Sequence, residues 1–295
     1  MRVARRHADE VETDVALVRR FLREQFPQWA KLPLRPVPES GTVNALYRLG
    51  DDLVVRVPRN RPPSLWSDLD QELTWLPRLA PLLPMALPVP VARGRPSGCY
   101  PREWGIFEWL PARNPTPGQV PGSFIDDLTS FVRALHAVEL EGGPPSVRQS
   151  LARMDEFTRE NLFALEGEID TRLAGVLWDE ALALPEWPHP PVWIHGDLMA
   201  GNLLAERGRL TAVIDWGGSG IGDPAVDLIV AWNVLPPSGR RRFRASLDYD
   251  DDTWGRARGW ALATGLGAVP YYRETFPEFA AAGRRTVLEI LEAVS

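Results

Sequence analysis

The sequence predicts an α+β chain with a small β-rich N-terminal lobe over 1–109 and a larger, mostly helical C-terminal lobe over 110–295. Three observations predict this. Between Leu32 and Pro58 the apolar residues fall in short runs, and 46–49 and 53–57 are joined by Gly50-Asp51-Asp52, a hairpin signal. From Ser123 onward the apolar residues recur at helical spacing. Within that helical region, 192–228 departs from the pattern, with two short apolar runs and a tight turn.

The elements follow in order. Thr13 is placed to cap a helix whose Val15, Val18, Leu22 and Phe26 share one face, and Pro27 ends it. After the hairpin, 67–83 returns to helix with Leu69, Leu73, Leu76 and Leu83 facing inward, and 88–91 and 105–110 read as further strands. The first lobe is therefore a small sheet with one inserted helix, and 110–115, LPARNP, is the linker. Helices are expected at 123–138, 151–165 and 173–184. A strand, a hairpin and a second strand interrupt them, and helices resume at Pro224, Thr253 and Phe279. There is no internal repeat and no low-complexity tract.

Composition narrows the function. At 295 residues, 44% hydrophobic and 24% charged, the chain has an ordinary globular make-up and the length for two lobes. A net charge of -6 argues against nucleic acid as a partner and favours a cationic ligand only weakly. Cys99 is the sole cysteine, so no internal disulfide forms and a reducing, cytoplasmic location is expected. The start, MRVARRHADEVETD, has no apolar core, and no secretory signal is expected. The longest apolar-looking stretch, 80–92, is broken by Pro81, Pro84, Pro88 and Pro90, so no membrane span is expected. Lys31 is the only lysine and follows Ala30. That excludes the P-loop, whose lysine follows a glycine, so any nucleotide must be held by another device.

The polar residues of 192–228 carry the chemistry. Asp197 follows a strand over 191–194, where a loop can present it to a hydroxyl and its proton. Asn202 opens the first strand of the hairpin, Asp215 closes the second, and the turn lies at 206–209. Antiparallel pairing would set these two hard oxygen donors side by side, a set suited to Mg²⁺ on phosphate oxygens. Ordinary turn chemistry is the plainer account of each. His195 is expected to hold the loop, since Asp197 already supplies a base. Asp223-Pro224 has the form of a helix cap and first helical residue, and Asp227 lies one turn on; both are expected to support the metal-binding segment. Trp216-Gly217-Gly218 gives the chain freedom to turn after Asp215.

The first lobe offers a second cluster. Arg56 sits mid-strand between Val55 and Val57, and Glu72 shares the apolar face of its helix with Leu69 and Leu76. Two inward charges of opposite sign suggest an ion pair able to hold nucleotide phosphates; an edge-strand arginine and a lobe-boundary glutamate are the alternative. Ser40, Gly41 and Thr42, in a loop over 39–44, could lie over phosphates. The acidic run Asp248, Asp250, Asp251 and Asp252 reads as a solvated linker, with Asp252 or Thr253 capping the next helix.

His195-Gly196-Asp197 through Asn202, then Ile214-Asp215, then Gly222-Asp223-Pro224 and Asp227-Leu228, resemble the aminoglycoside phosphotransferase family of small-molecule kinases. The motif set is specific, and the lobe order extends the resemblance over nearly the whole chain. The resemblance implies a protein-kinase-like two-lobe fold, ATP or GTP as phosphoryl donor, and Mg²⁺. It implies Asp197 as catalytic base, Asn202 and Asp215 as metal ligands, and a hinge at 107–110 whose Glu108 and Leu110 backbone groups meet the purine. Arg56 and Glu72 fall where such kinases carry a lysine–glutamate pair. Arginine keeps the charge but is larger and donates as a planar fork.

The expectation is O-phosphorylation of a small molecule, first an aminoglycoside-type antibiotic, or else a macrolide, amino sugar or amino alcohol. No nucleic-acid or membrane partner is expected. A two-metal phosphoesterase ranks low, because only His195 of the four histidines lies in the motif. A non-catalytic, kinase-like nucleotide binder would be marked by loss of Asp197, Asn202 or Asp215, and all three are present.

Overall fold

The computed structural model describes residues 12–37, 43–59, 69–98 and 100–294. The chain divides into two compact units. The first comprises Met1–Pro81, Ala86–Pro111 and Ala212–Gly218, and the second Leu82–Met85, Ala112–Thr211 and Ser219–Ser295. A single cut at 109/110 therefore leaves out two exchanges, Leu82–Met85 going to the second unit and Ala212–Gly218 to the first. The segment carrying Asp215 returns to the first unit, where the Val213 N–H donates to the Ala86 carbonyl at 3.0 Å.

The first unit is built on helix α1 (Val15–Gln25), strands β1 (Leu34–Pro36), β2 (Asn44–Leu49) and β3 (Leu53–Pro58), helix α2 (Leu69–Leu79), and strands β4 (Pro90–Gly94) and β5 (Trp104–Glu108). The sheet order is β1-β2-β3-β5-β4, antiparallel throughout. Leu49 pairs with Leu53 across the expected hairpin, and Gly50 supplies its left-handed residue at φ 62°. Pro90 lies in an edge strand, at an irregularity of the β4–β5 register, where a missing N–H costs little. β3 is the central strand, so Arg56 is not an edge residue. Val18, Phe21 and Leu22 of α1 pack on Tyr47, Val55, Val57 and Trp104 of the sheet. The Phe21 and Trp104 rings stack at 5.1 Å.

Gly94 faces the Trp104 indole so closely that a Cβ there would overlap the ring. Gly94→Ala is expected to cost about 1–3 kcal/mol by overpacking, read as a lower denaturation midpoint; an unchanged midpoint would show that the indole yields freely.

Several boundaries differ from the sequence expectation. Asp14, not Thr13, caps α1, accepting the Leu17 N–H at 2.8 Å. Thr13 is buried and takes the Tyr47 hydroxyl at 2.9 Å. A tertiary partner outcompetes the local cap there. α2 ends at Leu79 and gives way to a 3-10 turn, and its expected first residues, 67 and 68, lie outside the described residues. Strand β1 is too short to show a period.

The second unit holds α3 (Gly122–His136), α4 (Asp155–Ala164), α5 (Thr171–Ala183), strands β6 (Val192–Ile194), β7 (Leu203–Glu206), β8 (Arg209–Val213) and β9 (Gly220–Gly222), and helices α6 (Val230–Asn233), α7 (Pro237–Ser246), α8 (Asp251–Tyr272) and α9 (Pro277–Glu292). The end of β8 belongs to the first unit. α8 is buried on most sides, from Trp254 through Trp260 to Val269, and packs against α4, α5 and α9. Its cap is Asp250, whose side chain accepts the Thr253 N–H at 2.8 Å, rather than Asp252 or Thr253. The Thr253 hydroxyl first, and then this N–H, hold the Asp250 carboxyl below its usual pKa. α7 is arginine-rich and short of apolar residues, which hid it from periodicity. β6 pairs with β9, and β7 with β8 across Arg207 and Gly208, both at positive φ. Asp127 of α3 anchors that hairpin, accepting Arg209 Nε at 2.6 Å and NH2 at 2.7 Å. No described helix is long and apolar enough to cross a membrane.

Candidate active site

In the second unit, β6 ends directly before His195-Gly196-Asp197. The loop turns at Gly196, φ 85°, where a side chain would be strained. Asp227 holds it from beneath. This fully buried carboxylate accepts the His195 N–H at 2.9 Å and the Gly196 N–H at 2.8 Å. His136 Nε2 lies 3.2 Å from the same carboxylate, and His136 Nδ1 lies 2.6 Å from the Tyr249 hydroxyl. With a hydrogen on Nε2, the ring donates to Asp227, and Nδ1 meets the Tyr249 hydroxyl. Burial first, then the nearby Asp227 and Asp223 carboxylates, push the Tyr249 hydroxyl up to about 12, so it stays a neutral donor. His195 is itself fully buried, and its Nδ1 accepts the Asp197 N–H at 3.2 Å.

Asp197 is gripped on both oxygens. Asn202 Nδ2 donates to Oδ2 at 2.9 Å and to the Asp197 carbonyl at 2.8 Å. Arg148 NH2 donates to Oδ1 at 3.0 Å, and its Nε to the Gly196 carbonyl at 2.6 Å. The Asp197 side chain keeps 25% of its surface exposed, enough for a hydroxyl to reach it. Asn114 Nδ2 faces the carbonyls of Ala200, Gly201 and Leu203 and secures the segment around Asn202. Asp223 caps the turn that carries Asp227, accepting the Ala225 N–H at 2.9 Å, and Arg256 Nε binds its other oxygen at 2.7 Å.

The first unit brings together Arg56, Glu72 and Asp215. Arg56 NH1 lies 2.8 Å from Glu72 Oε1, and its NH2 lies 3.7 Å from Asp215 Oδ1. Burial opposes the guanidinium charge, but the Glu72 and Asp215 carboxylates outweigh it and hold Arg56 above its ordinary pKa. Its guanidinium also lies 4.6 Å from the Phe107 ring centre. Glu72 accepts the Trp216 N–H at 3.3 Å, which fixes the residue after Asp215. Asp215 itself has φ 65°, an uncommon conformation that short polar side chains tolerate and that clusters at functional sites. The Glu108 N–H donates to Val89 and the Trp109 N–H to Asp52, whereas the Leu110 N–H has no partner among the described residues. Ser40, Gly41 and Thr42 lie outside the described residues.

Taken one by one, Asn202 of the second unit and Asp215 of the first each present an oxygen of the kind magnesium takes. Asn202 uses its amide nitrogen on Asp197, so its carbonyl oxygen is what it has left for a ligand. The Asp215 side chain is 32% exposed. Among the described residues no group of three or more His, Cys, Asp or Glu forms an all-protein metal cage. Mg²⁺ characteristically takes one or two protein oxygens and completes its shell with water and phosphate.

Arg148, Arg256, Tyr249 and His136 were not picked out as site residues from sequence. Arg148 lies in an irregular segment, where a lone arginine carries no pattern. Arg256 had a readable signal, a charge within the apolar run of α8. The acidic run proved ordinary: Asp250 caps α8 and Asp251 pairs with Arg244 at 2.6 Å. The second unit also contains a cleft of about 290 Å³ lined by Leu184, Trp187, His189, Asp223, Arg256 and Trp260. Pro191 borders it too, which puts the cleft at the start of β6, the strand whose other end delivers Asp197.

The sequence model of the phosphotransferase enzyme family, APH, matches residues 34–277. An aminoglycoside 3'-phosphotransferase from Escherichia coli is 32% identical over 124 residues, 38% of this chain and 43% of the relative. Another, from Salmonella typhimurium, is 28% identical over 118 residues, 38% and 44% of the two chains. The chain thus spans less than half the length of these curated relatives. Among solved structures, the GDP and kanamycin complex of APH(2")-IIia superposes with a TM-score of 0.72 at 19% identity, covering 93% of this chain and 98% of that one. The macrolide 2'-phosphotransferase MphH from Brachybacterium faecium superposes with a TM-score of 0.59 at 24% identity, covering 93% and 97%. At these identities the likeness establishes the protein-kinase-like fold.

Proposed function

The chain belongs to the phosphotransferase enzyme family, and we propose that it transfers the γ-phosphoryl group of ATP or GTP to a hydroxyl of a small molecule. The observation that carries this reading is the Asp197 carboxylate, held on both oxygens yet one quarter exposed, on a loop anchored by a buried aspartate. A carboxylate so placed orients an acceptor hydroxyl and takes its proton as the phosphoryl group departs from the nucleotide. Arg56, held in charge by Glu72 and Asp215, faces the phosphates. The carbonyl of Glu108 and the N–H of Leu110 meet the purine. Asn202 and Asp215 are the residues proposed to hold Mg²⁺, which when bound neutralises phosphate charge. His195, Asp223 and Asp227 keep the loop in place. A single cysteine, with no internal disulfide to maintain, suits a cytoplasmic enzyme.

The first acceptor to test is an aminoglycoside, in keeping with the relatives' names. A panel of kanamycin, gentamicin, an erythromycin-type macrolide and simple amino alcohols, each with ATP and with GTP and Mg²⁺, reads the acceptor by nucleoside diphosphate release. Turnover of an aminoglycoside supports the finer reading. Turnover of a macrolide alone redirects it within the family, and no phosphorylated product from any hydroxyl compound sinks it.

Arg56→Ala is expected to weaken nucleotide binding by about tenfold to a hundredfold, the worth of a charge-assisted contact. Calorimetric titration with the Mg²⁺ nucleotide checks this. An unchanged affinity would leave Arg56 as a structural partner of Glu72 alone.

A further inference from the structure

We infer that Arg148 is a positioning residue for the Asp197 carboxylate, so that phosphoryl transfer depends on a guanidinium from outside the catalytic motif. The inference rests on Asp197 being the base. Its ground is the geometry of one fork. Nε of Arg148 binds the Gly196 carbonyl at 2.6 Å and NH2 of the same planar group binds Asp197 Oδ1 at 3.0 Å. Backbone and side chain of consecutive residues are thereby tied to one rigid plane.

The plane is itself fixed. The Arg148 side chain is 8% exposed, and its guanidinium carbon lies 5.6 Å from the centre of the Trp260 ring. Trp260 lies in the buried part of α8. Asn202 grips the other carboxylate oxygen, so the two partners together oppose rotation of the carboxylate about its side-chain bonds. Without Arg148, the carboxylate would be restrained from the Asn202 side only. A catalytic group displaced by about 1 Å from its productive position loses on the order of a hundredfold in rate. Lysine cannot replace the fork, because an ammonium is a point charge and does not present two coplanar donors to two oxygens.

The test uses the full chain, the nucleotide with Mg²⁺, and the panel compound that wild type turns over fastest, with water as acceptor if none is used. Arg148→Met is expected to lower kcat about a hundredfold, while KM for the nucleotide stays within twofold and calorimetric nucleotide affinity is retained. Arg148→Lys keeps the buried charge and guards against misfolding; it is expected to recover part of the loss. Guanidinium chloride at non-denaturing concentration is expected to raise turnover of Arg148→Ala saturably, with sodium chloride inert. On an Asp197→Asn background, Arg148→Met is expected to cost little more, because the group it positions is gone. Wild-type kcat in Arg148→Met or Arg148→Lys would overturn the inference, as would an undiminished loss on the Asp197→Asn background. If Asp197→Asn itself turns over normally, the base assignment fails and the inference falls with it. If Asp197→Asn is inactive while Arg148→Met is not, the inference alone fails.

Discussion

Asp197→Asn is expected to lower phosphoryl transfer by about a thousandfold while nucleotide binding persists. The substitution keeps the size of the side chain and removes its ability to take a proton. General-base assistance contributes about 10²–10⁴ in rate. The amide nitrogen that replaces one oxygen also sets a donor against Arg148 or Asn202, both of which donate to the native carboxylate. The groups proposed to hold the nucleotide, Arg56, Glu108 and Leu110, belong to the first unit, and Asp197 belongs to the second. Single-turnover kinetics with the preferred acceptor, alongside calorimetric nucleotide titration, separate the two effects. Wild-type turnover in this variant would remove Asp197 from the role of base.

Asp227→Ala is expected to cost about 3–5 kcal/mol of stability, because it removes a fully buried carboxylate that accepts two buried backbone N–H groups. The His195 and Gly196 N–H groups would be left buried without it, at about 1–3 kcal/mol each. His136 would lose its carboxylate too. Thermal unfolding should show the midpoint falling by roughly 10 °C. Asn is expected to restore little, since it turns one of two acceptor oxygens into a donor facing an N–H. A melting temperature equal to wild type would mean that water or a shifted loop satisfies those groups, and that Asp227 does not anchor the catalytic loop.

The two predictions differ in how readable their residues were. Asp197 and Asp227 both belong to a spacing pattern over 195–228 that is visible in the chain itself, because the Asp197 loop, the hairpin and the following turn are consecutive. Arg56 and Glu72 were readable for another reason: each is a charge at an apolar position of a strand or helix, and such a charge needs a partner. Their 2.8 Å contact meets that need. Arg148 carried neither signal. It is 49 residues from Asp197 in sequence, and no period or motif marks the loop it occupies. Thr13 shows the converse, a good local cap taken by Tyr47 while Asp14 caps instead.

Local chemistry was enough to specify the two-part α+β plan, the hairpin at Gly50 and the loop of Asp197 with its nearby turn, because those depend on residues a few positions apart. Folding in three dimensions had to settle the rest. It returned the Asp215 segment to the first unit, set Arg56 between two carboxylates, joined Tyr249 and His136 to Asp227, and swung Arg148 onto Asp197. Each of those contacts closes a long loop between polar groups. Such partners are chosen by which side chains burial brings within about 3 Å of each other, and spacing along the chain holds no record of that choice.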